Sequence, residues 1–161
     1  MRDTAGEVWW QAEVNVRVKA SGSGRFQFAD RVRVGFNLAT EGAETGTETG
    51  WEFYRTAAMA VTLEAGRAAF RFYLPPGVVQ RDRLQGPMRF LVVDLSVGGA
   101  QVPVDRRRVG PGLTGPEARA KLNREGTRND GVMRPEYLSP FANSGTEAAP
   151  VMLRAAASEP R

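Results

Sequence analysis

The chain has 161 residues, a mass of 17.6 kDa and 42% apolar residues, enough for one folded domain with its own core. It contains no Cys and no His, which excludes disulfides, zinc–thiolate sites, haem ligation by His and Ser-His-Asp triads. Only Lys19 and Lys121 are lysines, so 20 of the 22 basic residues are arginine, and the net charge is +4. The sequence therefore predicts a binding or assembly module rather than an enzyme, with no cofactor and no metal.

The beginning of the chain bears on its compartment. Residues Met1 to Glu7 lack the apolar segment of a signal peptide, and no stretch is long and apolar enough to cross a bilayer. If Met1 is the native first residue, we expect a cytoplasmic protein without a membrane span. The alternative is a chain from which a signal peptide or an anchor has been removed.

Two segments in the first quarter of the chain alternate between apolar and polar residues, as half-buried strands do. Between Glu7 and Lys19 the predicted inward residues are Val8, Trp10, Ala12, Val14, Val16 and Val18. Between Arg31 and Ala39 they are Val32, Val34, Phe36 and Leu38. The next segment, Thr40 to Gly50, has acidic but no basic residues and predicts an exposed hairpin loop.

Two further alternating segments follow that loop. From Trp51 to Leu63 the predicted inward residues are Trp51, Phe53, Ala57, Met59, Val61 and Leu63. From Arg67 to Leu74 they are Ala68, Phe70, Phe72 and Leu74. The turn residues Glu64-Ala65-Gly66 predict that the two segments form a β-hairpin.

Proline and glycine then divide the chain into shorter elements. Val78 to Leu84 predicts a single helical turn, and the nearly continuous apolar run from Met88 to Val97 predicts a central strand. Gly98-Gly99 predicts a hairpin turn into an edge strand that ends near Pro103. These elements favour a mainly β protein, an antiparallel β-sandwich that is loosely immunoglobulin-like, over residues 1–106.

The remaining residues, 107–161, predict an extended C-terminal arm rich in Pro, Gly and Arg. A short helix is expected near 116–125, with Pro116 at its first position and Gly126 after its end. Beyond it the apolar residues are isolated: Tyr137, Leu138, Phe141 and Val151 to Leu153. Such an arm cannot form a core of its own, so it either wraps its own domain or docks on a partner.

Aromatic and charged side chains supply the candidate contact residues. Trp9, Tyr54 and Tyr73 fall on outward registers and would form a platform for a sugar or a base, unless the helix or the arm covers them. Arg106, Arg107 and Arg108 begin a segment with eight basic and three acidic residues up to Arg134, a pattern able to track a phosphate backbone. Asp94, inside an apolar run, is expected on a wetter face or paired with an arginine such as Arg71 or Arg81.

The acidic hairpin tip and the basic arm give the chain a charge polarity that suits assembly. The leading hypothesis is a non-enzymatic structural or adaptor module of a larger, bacterial-type assembly. It would contact a protein partner or a second copy through a sheet edge and the arm, with Tyr137, Leu138 and Phe141 as contact residues. Two alternatives are an arginine-dependent nucleic-acid or polyanion-binding protein that uses Arg106 to Arg108, and a carbohydrate-binding β-sandwich that uses Trp9, Tyr54 and Tyr73.

Overall fold

The fold consists of two β-sheets with short helical segments at their ends. The structure is a computed structural model that describes residues 3, 5–19, 28–41, 51–82, 84, 90–104, 120, 122–124, 129–142 and 152–153. Its strands are β1 (Trp10–Val18), β2 (Phe28–Glu41), β3 (Trp51–Glu64), β4 (Gly66–Leu74), β5 (Phe90–Val97), β6 (Ala100–Val102), β7 (Arg134–Pro135) and β8 (Met152–Leu153). Helix α1 (Pro76–Arg81) follows β4, and a 3₁₀ turn (Glu136–Leu138) follows β7.

Every neighbouring strand pair is antiparallel. The smaller sheet has the order β1-β4-β7, and the larger sheet has the order β6-β5-β2-β3-β8. Side chains from β2, β3 and β4 meet in one buried cluster, so the two sheets pack face to face. The prediction of a mainly β, antiparallel sandwich is therefore confirmed, whereas its likeness to the immunoglobulin fold stays a prediction.

The core between the sheets contains the residues that the alternating patterns of β1, β2 and β4 predicted, with one exception. Val8, predicted to point inward, precedes β1 and is 50% exposed. The fully buried members from β2 and β4 are Val32, Val34, Phe36, Leu38, Phe70, Phe72 and Leu74, and the half-buried members from β1 are Trp10, Ala12, Val14, Val16 and Val18. The rings of Phe36 and Phe72 stack with their centroids 5.1 Å apart. Because these two residues belong to different sheets, their contact joins the layers directly.

The predicted inward face of β3 is wrong over most of its length. The residues that reach the core between the sheets are Tyr54, Ala58, Ala60 and Leu63, rather than Ala57, Met59 and Val61. Phe53 is buried in a separate cluster. Both faces of β3 are apolar, so alternation alone does not identify the inner one. The pattern also shifts by one residue between Ala60 and Leu63, beside the point where Arg31 of β2 adopts a left-handed φ of 52°.

The predicted hairpin between β3 and β4 is also wrong. The two strands are consecutive but belong to different sheets, since β3 pairs with β2 and β4 pairs with β1. Ala65 alone separates them, whereas a paired hairpin needs a loop of at least two residues. Gly66 has a φ of 138°, which an L side chain rarely adopts, and it redirects the chain from one sheet to the other.

The shorter predicted elements are largely confirmed. Helix α1 lies close to the predicted helical turn, and β6 lies at the edge of its sheet, as Pro103 indicated. Ala120 and residues 122–124 are helical, within the helix expected near 116–125. The ends of that helix, the tip of the acidic loop and the boundary between residues 106 and 107 lie outside the described residues.

The stacked pair in the core gives a first prediction. Replacing Phe72 by Ala removes a ring that is 0% exposed, so we expect a loss of about 3–5 kcal/mol in the free energy of unfolding. Urea unfolding monitored by tryptophan fluorescence measures it. The matched control is Gln101→Ala on the exposed face of β6, for which we expect a change within about 0.5 kcal/mol. Equal losses in the two variants would contradict the assignment of the core.

Candidate functional site

Two of the three predicted platform residues lie together on the outer face of the smaller sheet, but they are covered. Trp9 is 7% exposed and Tyr73 is 1% exposed, and Phe141 of the arm packs against both. The ring centroid of Phe141 lies 5.7 Å from that of Trp9 and 4.7 Å from that of Tyr73. The indole nitrogen of Trp9 also donates a hydrogen bond to Asp3 over 2.9 Å, and this bond lowers the pKa of Asp3.

Tyr54, the third predicted platform residue, lies elsewhere. It is 0% exposed in the core between the sheets, where its hydroxyl donates a hydrogen bond to Asp82. The exposed aromatic platform is therefore not formed, because the arm covers Trp9 and Tyr73 and because Tyr54 belongs to the inner face of β3. The surface on which a carbohydrate-binding function would depend is absent among these three residues.

The carboxylate of Asp82 joins Tyr54 to helix α1. Arg81 holds this carboxylate with two hydrogen bonds, from Nε over 2.6 Å and from Nη2 over 2.7 Å. Burial and, after it, the bond to Asp82 raise the pKa of Tyr54. The same carboxylate raises the pKa of Arg81. The hydrogen bonds of Asp82 with Tyr54 and Arg81 connect the end of α1 to β3. The sequence did not predict this connection, because the alternating pattern places Tyr54 on the outer face of β3.

The segment that contains residues 129–142 packs on its own domain. Asn129 donates hydrogen bonds to the Glu52 carboxylate over 2.8 Å and to the Phe53 carbonyl over 3.0 Å. Next to it, Arg55 and Asp130 form a bidentate ion pair with distances of 2.9 and 2.6 Å. These bonds fix the turn at residues 129–131 on β3.

Apolar residues of the arm enter three separate parts of the molecule. Met133 is 1% exposed in the core between the sheets, and Leu122 is 4% exposed in a cluster with Ala39, Phe53 and Val92. Phe141 belongs to the cluster on the smaller sheet. Tyr137 packs partly against the core, whereas Leu138 is 47% exposed. Of the two locations that the sequence left open for the arm, its own domain is the one that the described residues occupy.

Charged residues that sequence analysis did not connect meet on the smaller sheet. Arg71 binds Glu13 over 3.0 Å and the buried Glu136 over 3.4 Å. A hydrogen bond from Asn15 and then the contact with Arg71 lower the pKa of Glu13. Arg106, Arg107 and Arg108 lie outside the described residues.

The sequence left two options for Asp94, a wetter face or an arginine such as Arg71 or Arg81. Those two arginines bind other carboxylates, since Arg71 binds the two glutamates and Arg81 binds Asp82. Asp94 is half-buried and accepts a hydrogen bond from the side-chain amide of Asn37, over 3.1 Å. It lies directly opposite Gly35 on β2, where no side chain separates it from that strand.

Strand β1 forms an edge of the smaller sheet. Its nine residues pair with β4 along one side, and within the described part of the chain no strand pairs with the other side. The exposed residues of β1 are Gln11, Glu13, Asn15 and Arg17. Across the strand pair Glu13 faces Arg71, but Arg17 faces Arg67. No described acidic residue forms an ion pair with Arg17 or Arg67.

The described residues contain no group of three or more metal-ligating side chains that could hold an ion, and none of their helices is long and apolar enough to span a membrane. The chain matches no protein-family model, no curated protein and no solved structure.

Tyr54 gives a prediction about alkaline pH. The unfolded chain releases a tyrosine proton near pH 10, whereas folded Tyr54 retains it to a higher pH. Protonated Tyr54 therefore makes its full contribution to the free energy of unfolding below about pH 10. Above that pH the free energy of unfolding falls, by up to about 1.4 kcal/mol per pH unit for this residue. Urea unfolding between pH 9 and 11 measures the slope. Tyr54→Phe should be less stable at pH 7 but should lose less stability above pH 10; an unchanged slope would contradict the assignment.

The covered aromatic cluster gives another prediction. Phe141→Ala should cost about 3 kcal/mol and shift the tryptophan emission towards longer wavelength, because it uncovers Trp9 and Tyr73. The control Leu138→Ala removes an exposed side chain and should change stability by less than about 0.5 kcal/mol. If both variants keep the wild-type emission and stability, residues 129–142 do not hold the outer face of the smaller sheet.

Proposed function

We propose that this protein is a non-enzymatic structural or adaptor module that joins a larger protein assembly through the free edge of its smaller sheet. The observation that carries the proposal is β1, a nine-residue strand that forms hydrogen bonds with β4 along one side only. An edge strand presents a row of backbone N–H and C=O groups, which are a template for a strand of another chain.

The side chains of β1 support this use of the edge. Val14, Val16 and Val18 are half-buried at the margin of the core, so a neighbouring strand would complete their burial. Nine residues are also long enough for a continuous ladder. The strands at the other described ends are shorter, with three residues in β6 and two each in β7 and β8.

The sequence predicted that both a sheet edge and the arm contact a partner, and the position of the arm changes this prediction. Phe141, a predicted contact residue, is only 4% exposed, and the nearby Met133 is 1% exposed, both against their own domain. Of the predicted contact residues of the arm that the structure describes, Leu138 alone is strongly exposed. In the proposal, residues 129–142 therefore stabilise the module, and the sheet edge makes the contact.

An arginine-dependent polyanion-binding function is the second candidate. The observation that favours it is the position of Arg17 directly opposite Arg67, with exposed Lys19 next to the end of β1. A fluorescent RNA or heparin probe, titrated over a salt series, tests it. Binding that weakens steeply with salt and is lost in Arg17→Ala/Arg67→Ala would favour this candidate over assembly.

Proline variants test the use of the edge without assuming what binds there. Neighbouring residues of a strand direct their N–H groups to opposite sides, so only one of Asn15→Pro and Val16→Pro removes a bond to β4. The other variant keeps its bonds to β4 and should remain folded, with some loss of stability if it is Val16→Pro, which also removes a half-buried side chain.

We expect the full tagged chain to elute from a native extract in a species heavier than 17.6 kDa and the well-folded proline variant to elute as a monomer. Size-exclusion chromatography of the extract measures both. Elution of the wild-type chain as a monomer at every concentration, or of the folded proline variant in the same heavy species, would overturn the proposal.

A further inference from the structure

We propose that the strand that pairs with β1 is β1 of a second copy, antiparallel, with a twofold axis through Asn15. The inference rests on the proposed function, since it uses the same free edge, and adds the identity and the register of the occupant. The pairing would join two smaller sheets into one continuous sheet, and the contact would be the same patch on both copies.

The geometry of antiparallel strands restricts the possible registers. Residues that face each other across such a pair lie on the same face and have the same hydrogen-bonding role. When a strand pairs with its own copy, the twofold axis must therefore pass through a residue. Each choice of that residue fixes which side chains of the two copies oppose each other.

The charges of β1 select one of these registers. An axis at Glu13 places two carboxylates opposite each other, and an axis at Arg17 does the same with two guanidinium groups. An axis at Asn15 places Glu13 of each copy opposite Arg17 of the other, twice in the dimer. Opposite charges across a strand pair are stabilising and like charges are destabilising, so the Asn15 register is favoured over those two.

The two registers next to it lack either the ion pair or the length. An axis at Val14 also pairs nine residues, 10–18, but places Glu13 opposite Asn15, without an ion pair. An axis at Val16 places Glu13 opposite Lys19 but leaves only seven residues of the 10–19 segment paired. The Asn15 register pairs nine residues, 11–19, and gives both ion pairs.

The arrangement within one copy explains why Arg17 would take a partner from another. Glu13 already lies against Arg71 on β4, whereas Arg17 lies opposite Arg67, which carries the same charge. In the dimer, Glu13 of the second copy would lie on the free side of Arg17 and offset this repulsion. Each glutamate would then lie between two arginines, one from each copy.

The inner face of β1 supports the same pairing. In the Asn15 register Val14 lies opposite Val16 of the second copy, and Ala12 lies opposite Val18. All four are half-buried against the core of their own copy. Each strand would cover the margin of the other copy's core, which adds burial of apolar surface to the backbone hydrogen bonds.

Arg17→Glu separates the effect on the dimer from the effect on the fold. Within one copy the new carboxylate faces Arg67, so the monomer should be at least as stable as wild type in urea unfolding at low protein concentration. Between copies it faces Glu13, so we expect the dimer dissociation constant to rise at least about tenfold. Analytical ultracentrifugation measures that constant.

The matched control is Arg67→Glu. It removes the same repulsion within one copy but leaves both residues of the proposed intermolecular ion pair in place. We expect its dimer dissociation constant to stay within about threefold of the wild type. A tenfold rise here as well, equal to that of Arg17→Glu, would show that net charge rather than register governs association and would overturn the inference.

Mixing two variants tests the register most directly. Arg17→Glu carries two acids on β1, and Glu13→Arg carries two bases, so each variant repels its own copy. Together they restore both opposite-charge pairs, and we expect a heterodimer with about the wild-type affinity when labelled chains of the two kinds are mixed.

A dimer that is insensitive to Arg17→Glu, or variants that fail to pair when mixed, would overturn the Asn15 register while the proposed edge function stands. A wild-type chain that is monomeric at its highest soluble concentration would overturn the second copy as occupant. The proposed function would be overturned by a different result, elution of the wild-type chain as a monomer from the native extract.

Discussion

Several strands carry large apolar side chains on both faces, and this constraint determines how the rest of the chain must be arranged. On β4, Phe72 lies in the core between the sheets, whereas the next residue, Tyr73, lies on the outer face. On β3, Tyr54 and Phe53 divide in the same way. Two stacked sheets cover only the faces that they turn towards each other. Both outer faces would therefore expose aromatic rings to water unless another part of the chain covered them.

The arm contributes one apolar side chain to the buried cluster on each outer face. Leu122 completes the cluster on the larger sheet, and Phe141 completes the cluster on the smaller one. Because each of these side chains enters a site that the strands already form, the arm does not need a core of its own. Hydrogen bonds then set its position, since Asn129 binds groups of β3 and Glu136 binds Arg71. A segment with a composition close to that of disordered chains is thereby ordered along residues 129–142.

Alternation predicted the fold well where only one face of a strand is apolar and failed where both are. The valines of β1 were assigned correctly because the residues between them are polar. On β3 the sequence offers Phe53 and Tyr54 in succession, and only the opposite sheet decides which of them lies inside. The same limit applies to the candidate site. That β1 is a strand follows from its residues, but that it is an edge depends on β4 leaving β3 for the other sheet at Gly66.

The two ends of the smaller sheet differ in length. The described arm pairs with β4 only at Phe72 and Tyr73, through β7, whereas β1 at the other end has nine residues and no described strand on its outer side. The sequence suggested a polarity between the acidic loop and the basic arm. Among the described residues, opposite charges lie instead within one strand, β1. There Glu13 forms an ion pair with Arg71, whereas Arg17 lies opposite Arg67. In an antiparallel copy of such a strand, each acidic residue lies opposite a basic one. This kind of contact needs no pocket and no His or Cys, the residue types that this chain lacks.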